Sequence, residues 1–594
     1  MAVDFDQVMR RIGDYGRYQK IRFILLNISV AVLYQYALYN VIFMAYTPRF
    51  WCTAYRYQNQ TFQLKLPKAK NTSLEMCFHK VVTEADQNGT WYPCTSWDYD
   101  RSDYKETIVT QWDLVCGRSW IPKMIQTLTN VATAVGALAF SVVQDLVGRK
   151  PGFFLVVGTC ILPGIVMLYV PNLIAFTVIR LIQALMIIPG WSFPYIIAIE
   201  MVSIQHRTMV TSVMIAVFSL GATLVALPAW LCTDWKTLGL VTTLPWVLFF
   251  LYWPVLDESP RWLLVRRQIK KLRRVCGRIA SENNRTLRKG ELELMLYVTE
   301  SKIDAKSMHQ LRRNATIRDL FATPNIRFKT LIIIYQFAVN AIVYNGLAFN
   351  VDNLAGNRYL NFALLMIMEL PAAMAIQFLL DRFGRIWPMS FMMALGGVAA
   401  VITSLVPHKM PAAIGLCAAV SKFGISASFG ILCQLANELF PTPIRGTGNG
   451  MGSFLGSLST AAVPFIVAAA KTAKALPMII MGLMSLSGGF FILFLPETLN
   501  VPMPETLKDC EFTPVGWRTF YRNLTFVNLR EARRKVPDSR KQSASQNSEI
   551  QCLNNRYFEE QTLPSGNQEE LQKLNRDGSS SPGRKVTVQI NSLH

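Results

Sequence analysis

The sequence predicts an all-α polytopic membrane protein, with twelve transmembrane helices in two pseudo-symmetric six-helix bundles. Of 594 residues, 51% are hydrophobic and only 16% are charged, against about 25% charged in soluble domains. About twelve apolar runs are each long enough to cross roughly 30 Å of hydrocarbon. Charged motifs at the ends of those runs also recur at nearly one spacing in the two halves. The composition excludes an ordinary cytosolic enzyme, and its apolar content excludes a disordered chain. The net charge of +22 invites a nucleic-acid reading, but no recognition motif accompanies it and no nucleic-acid partner is expected.

The runs α1 to α6 lie at about 22–46, 121–143, 152–170, 173–200, 208–232 and 236–256, and α7 to α12 at about 330–350, 358–380, 387–406, 411–436, 446–470 and 475–496. The first bundle is thus 22–256 and the second 330–496. Run α1 follows Arg10, Arg11, Arg17, Lys20 and Arg22. It is longer than a signal-peptide core and no small-residue cleavage pattern follows, so it stays as a helix behind a cytoplasmic N-terminus, residues 1–21.

Two hydrophilic segments set the orientation. Residues 47–118 carry about nine Lys/Arg against eight Asp/Glu, and residues 257–329 about eighteen against eight, with Arg261, Arg266, Arg267, Lys270 and Lys271 near one end. The positive-inside bias puts the second loop in the cytosol and the first outside. The outer loop holds sequons at Asn59, Asn71 and Asn88 and four cysteines, Cys52, Cys77, Cys94 and Cys116. Two disulfides follow, with three pairings open. Sequons at Asn284, Asn314 and Asn523 fall in cytosolic segments and are expected to be silent. Residues 497–594 read as a cytoplasmic tail, mostly disordered, because from 503 onward they shift to Ser, Gln, Asn, Arg and Glu. The expected placement is a multi-pass plasma-membrane protein with both termini cytoplasmic, its basic surface facing the anionic leaflet.

The duplication is legible in the charges. Asp145-Leu-Val-Gly148-Arg149-Lys150 after α2 recurs as Asp381-Arg-Phe-Gly384-Arg385-Ile386 after α8, 236 residues on. Glu200 and Arg207 recur as Glu438 and Arg445, 238 residues on, and Glu258 of Glu258-Ser-Pro-Arg261 recurs as Glu497, 239 residues on. A glycine before an arginine lets two backbones approach while the guanidinium reaches a carboxylate or helix C-terminus on a neighbouring bundle. Such pairs are expected to hold an outward-open state and to part in the inward-open one. The plainer alternative is ordinary positive-inside charge at helix ends.

Enzyme signatures are missing from the sequence. There is no GK[ST] phosphate loop and no HExxH, and His79, His206, His309, His408 and His594 are scattered without ligand spacing. Seven cysteines outside the outer loop show no CxxC. The expectation is no enzyme, no metal and no cofactor, with Na+ or H+ left open as a coupling ion.

With these motifs, and with Glu258-Ser-Pro-Arg261-Trp262-Leu-Leu264, Glu369-Leu-Pro-Ala-Ala373 and Asn437-Glu438-Leu-Phe-Pro441-Thr-Pro-Ile-Arg445, the chain resembles the major facilitator superfamily. Within it, the chain resembles the organic cation, anion and carnitine transporters of solute carrier family 22, over about residues 8–508. The resemblance implies two bundles around a central cavity that opens to either side in turn. It also implies that Trp191 and Tyr195 of Gly190-Trp191-Ser-Phe-Pro-Tyr195 line that cavity with Tyr344 and Asn345, and that Glu369 attracts a substrate ammonium.

Read without it, Trp191 and Tyr195 share one helical face, suited to a cation or to a neighbouring helix. An intramembrane carboxylate is costly unless it is paired or wet, so Glu369 either faces the cavity or pairs with Lys422 of α10. Arg180, Glu200 and Glu438 are assigned to gating or structural pairing, and Tyr34, Tyr36 and Tyr39 of α1 offer a further aromatic wall.

Two positions depart from the family. Ser457 stands where many cation transporters have aspartate and many anion or carnitine transporters arginine, and Ile188 stands where cation transporters have lysine. Losing both is coherent, since removing one charge alone strands the other in low dielectric. The expected substrates are small organic cations or zwitterions, such as carnitine-like compounds or amines like carcinine. An organic-anion transporter and a non-transporting receptor are the alternatives. The substrate and the lipid bilayer are the expected partners, and the oligomeric state is left open.

Overall fold

In lipid a backbone finds no water to bond, so apolar runs fold into helices that satisfy their own N–H and C=O groups. The computed structural model describes residues 5–28, 35–57, 60–63, 77–83, 86–202, 204–286, 317–407, 409–441, 444–499 and 515–534. Helix α1 is described in two pieces, Arg17–Ile28 and Gln35–Met44. Then come α2 (Ile121–Val147), α3 (Arg149–Tyr169), α4 (Leu173–Ala184 and Ile187–Glu200), α5 (Ile204–Leu224, then Ala226–Leu231) and α6 (Trp235–Thr243, continuing as a 3-10 turn to Tyr252). The second half repeats the pattern with α7 (Pro324–Phe349), α8 (Arg358–Ile367 and Glu369–Phe383), α9 (Ile386–Leu405), α10 (Pro411–Leu439), α11 (Arg445–Ser459, extended by short turns) and α12 (Leu476–Phe491).

Helices α3 to α12 are each long and apolar enough to cross a membrane. Helix α2, with 27 residues, is roughly 40 Å long at 1.5 Å per residue. Leu162, Leu251, Met374 and Leu405 point outward and are strongly exposed, as lipid-facing positions should be.

Between α1 and α2 the chain adds a four-stranded antiparallel sheet that the sequence reading did not anticipate. Strands β1 (Phe50–Tyr57), β2 (Gln60–Gln63), β3 (Phe78–Thr83) and β4 (Asp86–Tyr99) run in the order β2-β1-β4-β3. Disulfides Cys52–Cys94 and Cys77–Cys116 settle the open pairing. The first ties β1 to β4, and the second ties the start of β3 to the segment before α2. Asn88 lies on β4, while Asn59 and Asn71 are outside the described residues.

Two segments expected to be plain loop or tail are helical. Helix Ile269–Glu282, from the basic loop, packs on the N-terminal helix Phe5–Ile12, with Val8, Met9 and Ile12 sharing a core with Leu272, Cys276 and Ile279. Asn283 locks that junction by accepting from Tyr18 N at 2.9 Å and donating to Gly13 O at 2.9 Å. After α12, residues Trp517–Leu524 and Val527–Arg534 form helices, which corrects the expectation of disorder over that stretch. Asn523 is buried there, donating to the carbonyls of Leu493 and Leu495 at 2.8 Å each. Asn314 is outside the described residues.

Candidate functional site

A buried ion pair lies in the second half. Pro371 has no N–H and its ring crowds the carbonyl of residue 367, so α8 breaks at Met368 and restarts at Glu369. Glu369 therefore sits in the first turn of the new helix, where the positive end of the helix dipole favours a carboxylate. Its partner is Lys422 of α10, with Nζ 3.0 Å from Oε1, and the two residues are 5% and 0% exposed. Tyr344 of α7 completes the group. Its hydroxyl donates to Glu369 Oε1 at 2.5 Å, and its ring lies 3.1 Å from Lys422 Nζ. Tyr39 of α1 adds an interaction with the Tyr344 phenol from the other half. Of the two readings the sequence left for Glu369, the cavity or a pair with Lys422, the structure shows the pair.

The other candidates are placed as follows. Trp191 and Tyr195 stack at 5.6 Å with planes 14° apart, and Trp191 meets Phe218 of α5 edge-on at 4.9 Å. They form one half-buried aromatic face within the first half. Tyr36 is half-buried on α1, next to Gln35, which donates to Phe218 O at 3.1 Å; Tyr34 is outside the described residues. Asn345 turns its amide back to Ala341 O of its own helix at 2.9 Å. Ser457 is half-buried beside Gly456, which abuts the backbone of Phe337 on α7. Arg180 is buried in mid-span, bonding Gln183 Oε1 at 2.6 Å and Ala37 O at 3.3 Å, so its described partners are neutral.

One polar row escaped the sequence reading. Gln336 and Asn340 precede Tyr344 at four-residue steps on α7. Gln336 donates to Gly488 O at 2.7 Å, and Asn340 accepts from Ser428 of α10 at 2.5 Å. A polar residue every fourth position in an apolar run was the available signal.

The repeated charges form two matching clusters. Arg149 pairs with Glu200 at 3.1 Å, and Arg385 with Glu438 at 2.9 Å. Glu258 accepts the backbone N–H groups of Arg149 and Lys150, and Glu497 those of Arg385 and Ile386, with the shortest bond 2.8 Å in each half. Gly148 (φ +110°) and Gly384 (φ +77°) make this approach feasible, since a Cβ on either would lie 2.5 Å from the facing carboxylate oxygen. Desolvation holds both Glu258 and Glu497 above the ordinary carboxylate range, and the backbone donors pull the other way. Arg261 donates to the carbonyls of Glu200 and Val202, and Arg445 to Phe440 O. Arg207 is half-buried at the start of α5. Asp145 and Asp381 lie at the ends of α2 and α8, and their side chains are outside the described set. The expectation that these pairs join neighbouring bundles is corrected: the described ones close inside one half.

The halves meet at the sheet-bearing end. Phe43 of α1 stacks on Tyr359 of α8 at 5.6 Å, and Arg358 lies 3.7 Å over the Tyr46 ring. Tyr359 donates to the Tyr104 hydroxyl at 2.6 Å, and Asn130 of α2 donates to Thr460 O at 2.8 Å.

The profile of the sugar (and other) transporter family matches residues 27–508. An organic cation transporter protein of Drosophila melanogaster is 33% identical over 519 residues, covering 85% of this chain and 94% of that protein. The chain belongs to solute carrier family 22 of the major facilitator superfamily. The carcinine transporter of Drosophila melanogaster is 31% identical over 544 residues, covering 87% of this chain and 80% of its own. The xylose transporter XylE of E. coli, in an inward-open conformation, aligns with a TM-score of 0.50 at 16% identity over 66% of this chain and 89% of its own, a likeness of fold alone. As a family 22 protein the chain is a multi-pass membrane transporter and not an enzyme.

Proposed function

We propose that the protein carries small organic cations or zwitterions, carnitine-like compounds or amines such as carcinine, across the plasma membrane by alternating access, with both termini in the cytosol. The buried Glu369–Lys422 pair under the Tyr344 ring carries this reading. Removing one partner of such a pair costs about 3–5 kcal/mol, because a bare charge is left in low dielectric. Exchanging Lys422 for a substrate ammonium costs little by comparison, provided that Lys422 finds an anion in turn. A zwitterion supplies both signs at once. A simple cation supplies one, and Tyr344 offers it a π face.

Trp191, Tyr195 and Tyr36 would form the opposing aromatic wall, with Asn345 and Ser457 as neutral lining. That the carcinine and organic cation transporters are relatives supports this substrate range. Asp145, Arg149, Glu200, Arg207, Glu258, Arg261, Asp381, Arg385, Glu438, Arg445 and Glu497 would stiffen each bundle at its cytosolic end, so that the bundles rock as units.

The test is uptake and current in oocytes under voltage clamp with tetraethylammonium, carnitine, carcinine and para-aminohippurate at two sodium concentrations. Saturable uptake of the amines, lost in Glu369→Gln, is the expected result. Uptake of para-aminohippurate alone, or binding without uptake of any compound, overturns the reading.

A further inference from the structure

Helix Trp517–Leu524 follows α12 and is held by specific contacts. Gly516 N donates to Phe494 O at 3.3 Å, and Trp387 Nε1 at the start of α9 donates to Asn523 O at 2.7 Å. The Trp387 ring stacks on Phe526 at 4.3 Å with planes 6° apart. The helix is thereby fixed under the ends of α9 and α12, with little freedom to turn.

That anchoring divides its circumference into three arcs. Thr519, Asn523 and Phe520 face the protein, the first two fully buried. Trp517, Tyr521 and Leu524, spaced four and then three residues apart, fall within roughly 60° of one another at 3.6 residues per turn. They are 63%, 61% and 48% exposed. Arg518 and Arg522 occupy the remaining side, Arg518 exposed and Arg522 bonded to Asn528 Oδ1 at 2.8 Å. In sequence, Arg530, Arg533, Arg534 and Lys535 follow.

An exposed Trp-Tyr-Leu stripe is costly in water. An apolar face edged by cationic residues and lying at the end of membrane-spanning helices has the layout of a helix resting in the lipid interface, where Trp and Tyr sit at headgroup depth and Arg meets phosphate. Charge complementarity selects the leaflet rich in anionic lipid.

We propose that Trp517, Tyr521 and Leu524 insert into the anionic cytosolic leaflet beside α9 and α12, with Arg518 on the headgroups, so that lipid charge clamps the end of the second bundle. This uses the orientation given under the proposed function but no property of the substrate, so a failed transport assay leaves it standing.

The experiment uses the full chain in nanodiscs of phosphatidylcholine, with and without phosphatidylserine, made with brominated or ordinary acyl chains. The emission of Trp517 is taken as wild type minus Trp517→Phe, a substitution that keeps a ring against Phe494 and Phe520. With phosphatidylserine, brominated chains are expected to remove roughly half of that component or more, and iodide to leave it largely unquenched. Arg518→Gln is expected to reduce the dependence on phosphatidylserine. Hydrogen exchange of residues 517–524 in the wild-type chain needs no substitution and is expected to slow several-fold when phosphatidylserine is present. Free quenching by iodide with none by brominated chains overturns the proposal and turns the stripe toward a soluble partner. Equal bromine quenching with and without phosphatidylserine overturns its anionic part, as does unchanged exchange.

Discussion

The two ends of the transporter hold their contacts in opposite ways. At the Gly-Arg end, Arg149–Glu200 and Arg385–Glu438 each close inside one half, with Glu258 and Glu497 drawn over the neighbouring turns. At the sheet-bearing end the contacts cross between halves, through Phe43 on Tyr359, Arg358 over Tyr46 and Asn130 on Thr460. The difference teaches which interactions the proposed rocking motion would have to break. Charge clusters inside a bundle travel with it and make it rigid, whereas stacked rings and single hydrogen bonds across the interface are worth about 0.5–1.5 kcal/mol each and part more easily.

The largest effect is expected at a within-half pair in the membrane. Lys422→Met leaves Glu369 buried and bare, at about 3–5 kcal/mol, and thermal unfolding in detergent should show a large loss of folded protein. Glu369→Gln with Lys422→Met should restore most of the stability without restoring uptake. If the single variant is as stable as wild type, the pair is not the charge balance described here.

Gly148→Ala and Gly384→Ala come next, at about 1–3 kcal/mol each for a strained turn. Because both turns face a carboxylate oxygen at 2.5 Å from a Cβ, unfolding measurements should give similar losses; a large loss in one half alone breaks the symmetry. Arg358→Ala removes a contact worth about 0.5–2 kcal/mol across the interface. It also removes the pair with Asp352 at 2.5 Å within the same half, so it should speed thiol labelling of a Phe362→Cys reporter from the sheet side several-fold at a modest cost in melting temperature.

The smallest effect is with pH. Glu258 and Glu497 titrate above the ordinary carboxylate range when folded, so between the unfolded value and the raised one the folded state binds more protons. Stability from this source falls as pH rises through that window. The difference in melting between wild type and Glu258→Gln should follow that slope, and a slope of opposite sign contradicts it.

Most of the fold was legible because bilayer physics writes itself into composition: each helix α3 to α12 is a run of the required length, and the duplicated charges mark the turns. The sheet between α1 and α2 was not, since strands such as Gln60–Gln63 are short and polar and take their register from β1 and two disulfides far apart in sequence. The helix Trp517–Leu524 was masked by the polar composition around it. At the site, Glu369 and Tyr344 could be nominated from the chain. Whether Glu369 stood open or met Lys422 depended on how α8 and α10 pack, which periodicity does not encode. The charge motifs likewise showed their repetition but not their partners, so pairing within a half looked the same as pairing between halves.

The most direct test places spin-label pairs across the halves at both ends, Trp120 with Thr472 near the sheet and Leu146 with Phe383 near the Gly-Arg turns, all of them exposed. Pulsed dipolar distances are then recorded with and without carcinine or carnitine. The expected result is two populations in opposition, the sheet-end distance lengthening as the other shortens. Distances that lengthen together, or a single fixed population at both ends under every condition, would contradict a transporter built of two rigid bundles that open on one side at a time.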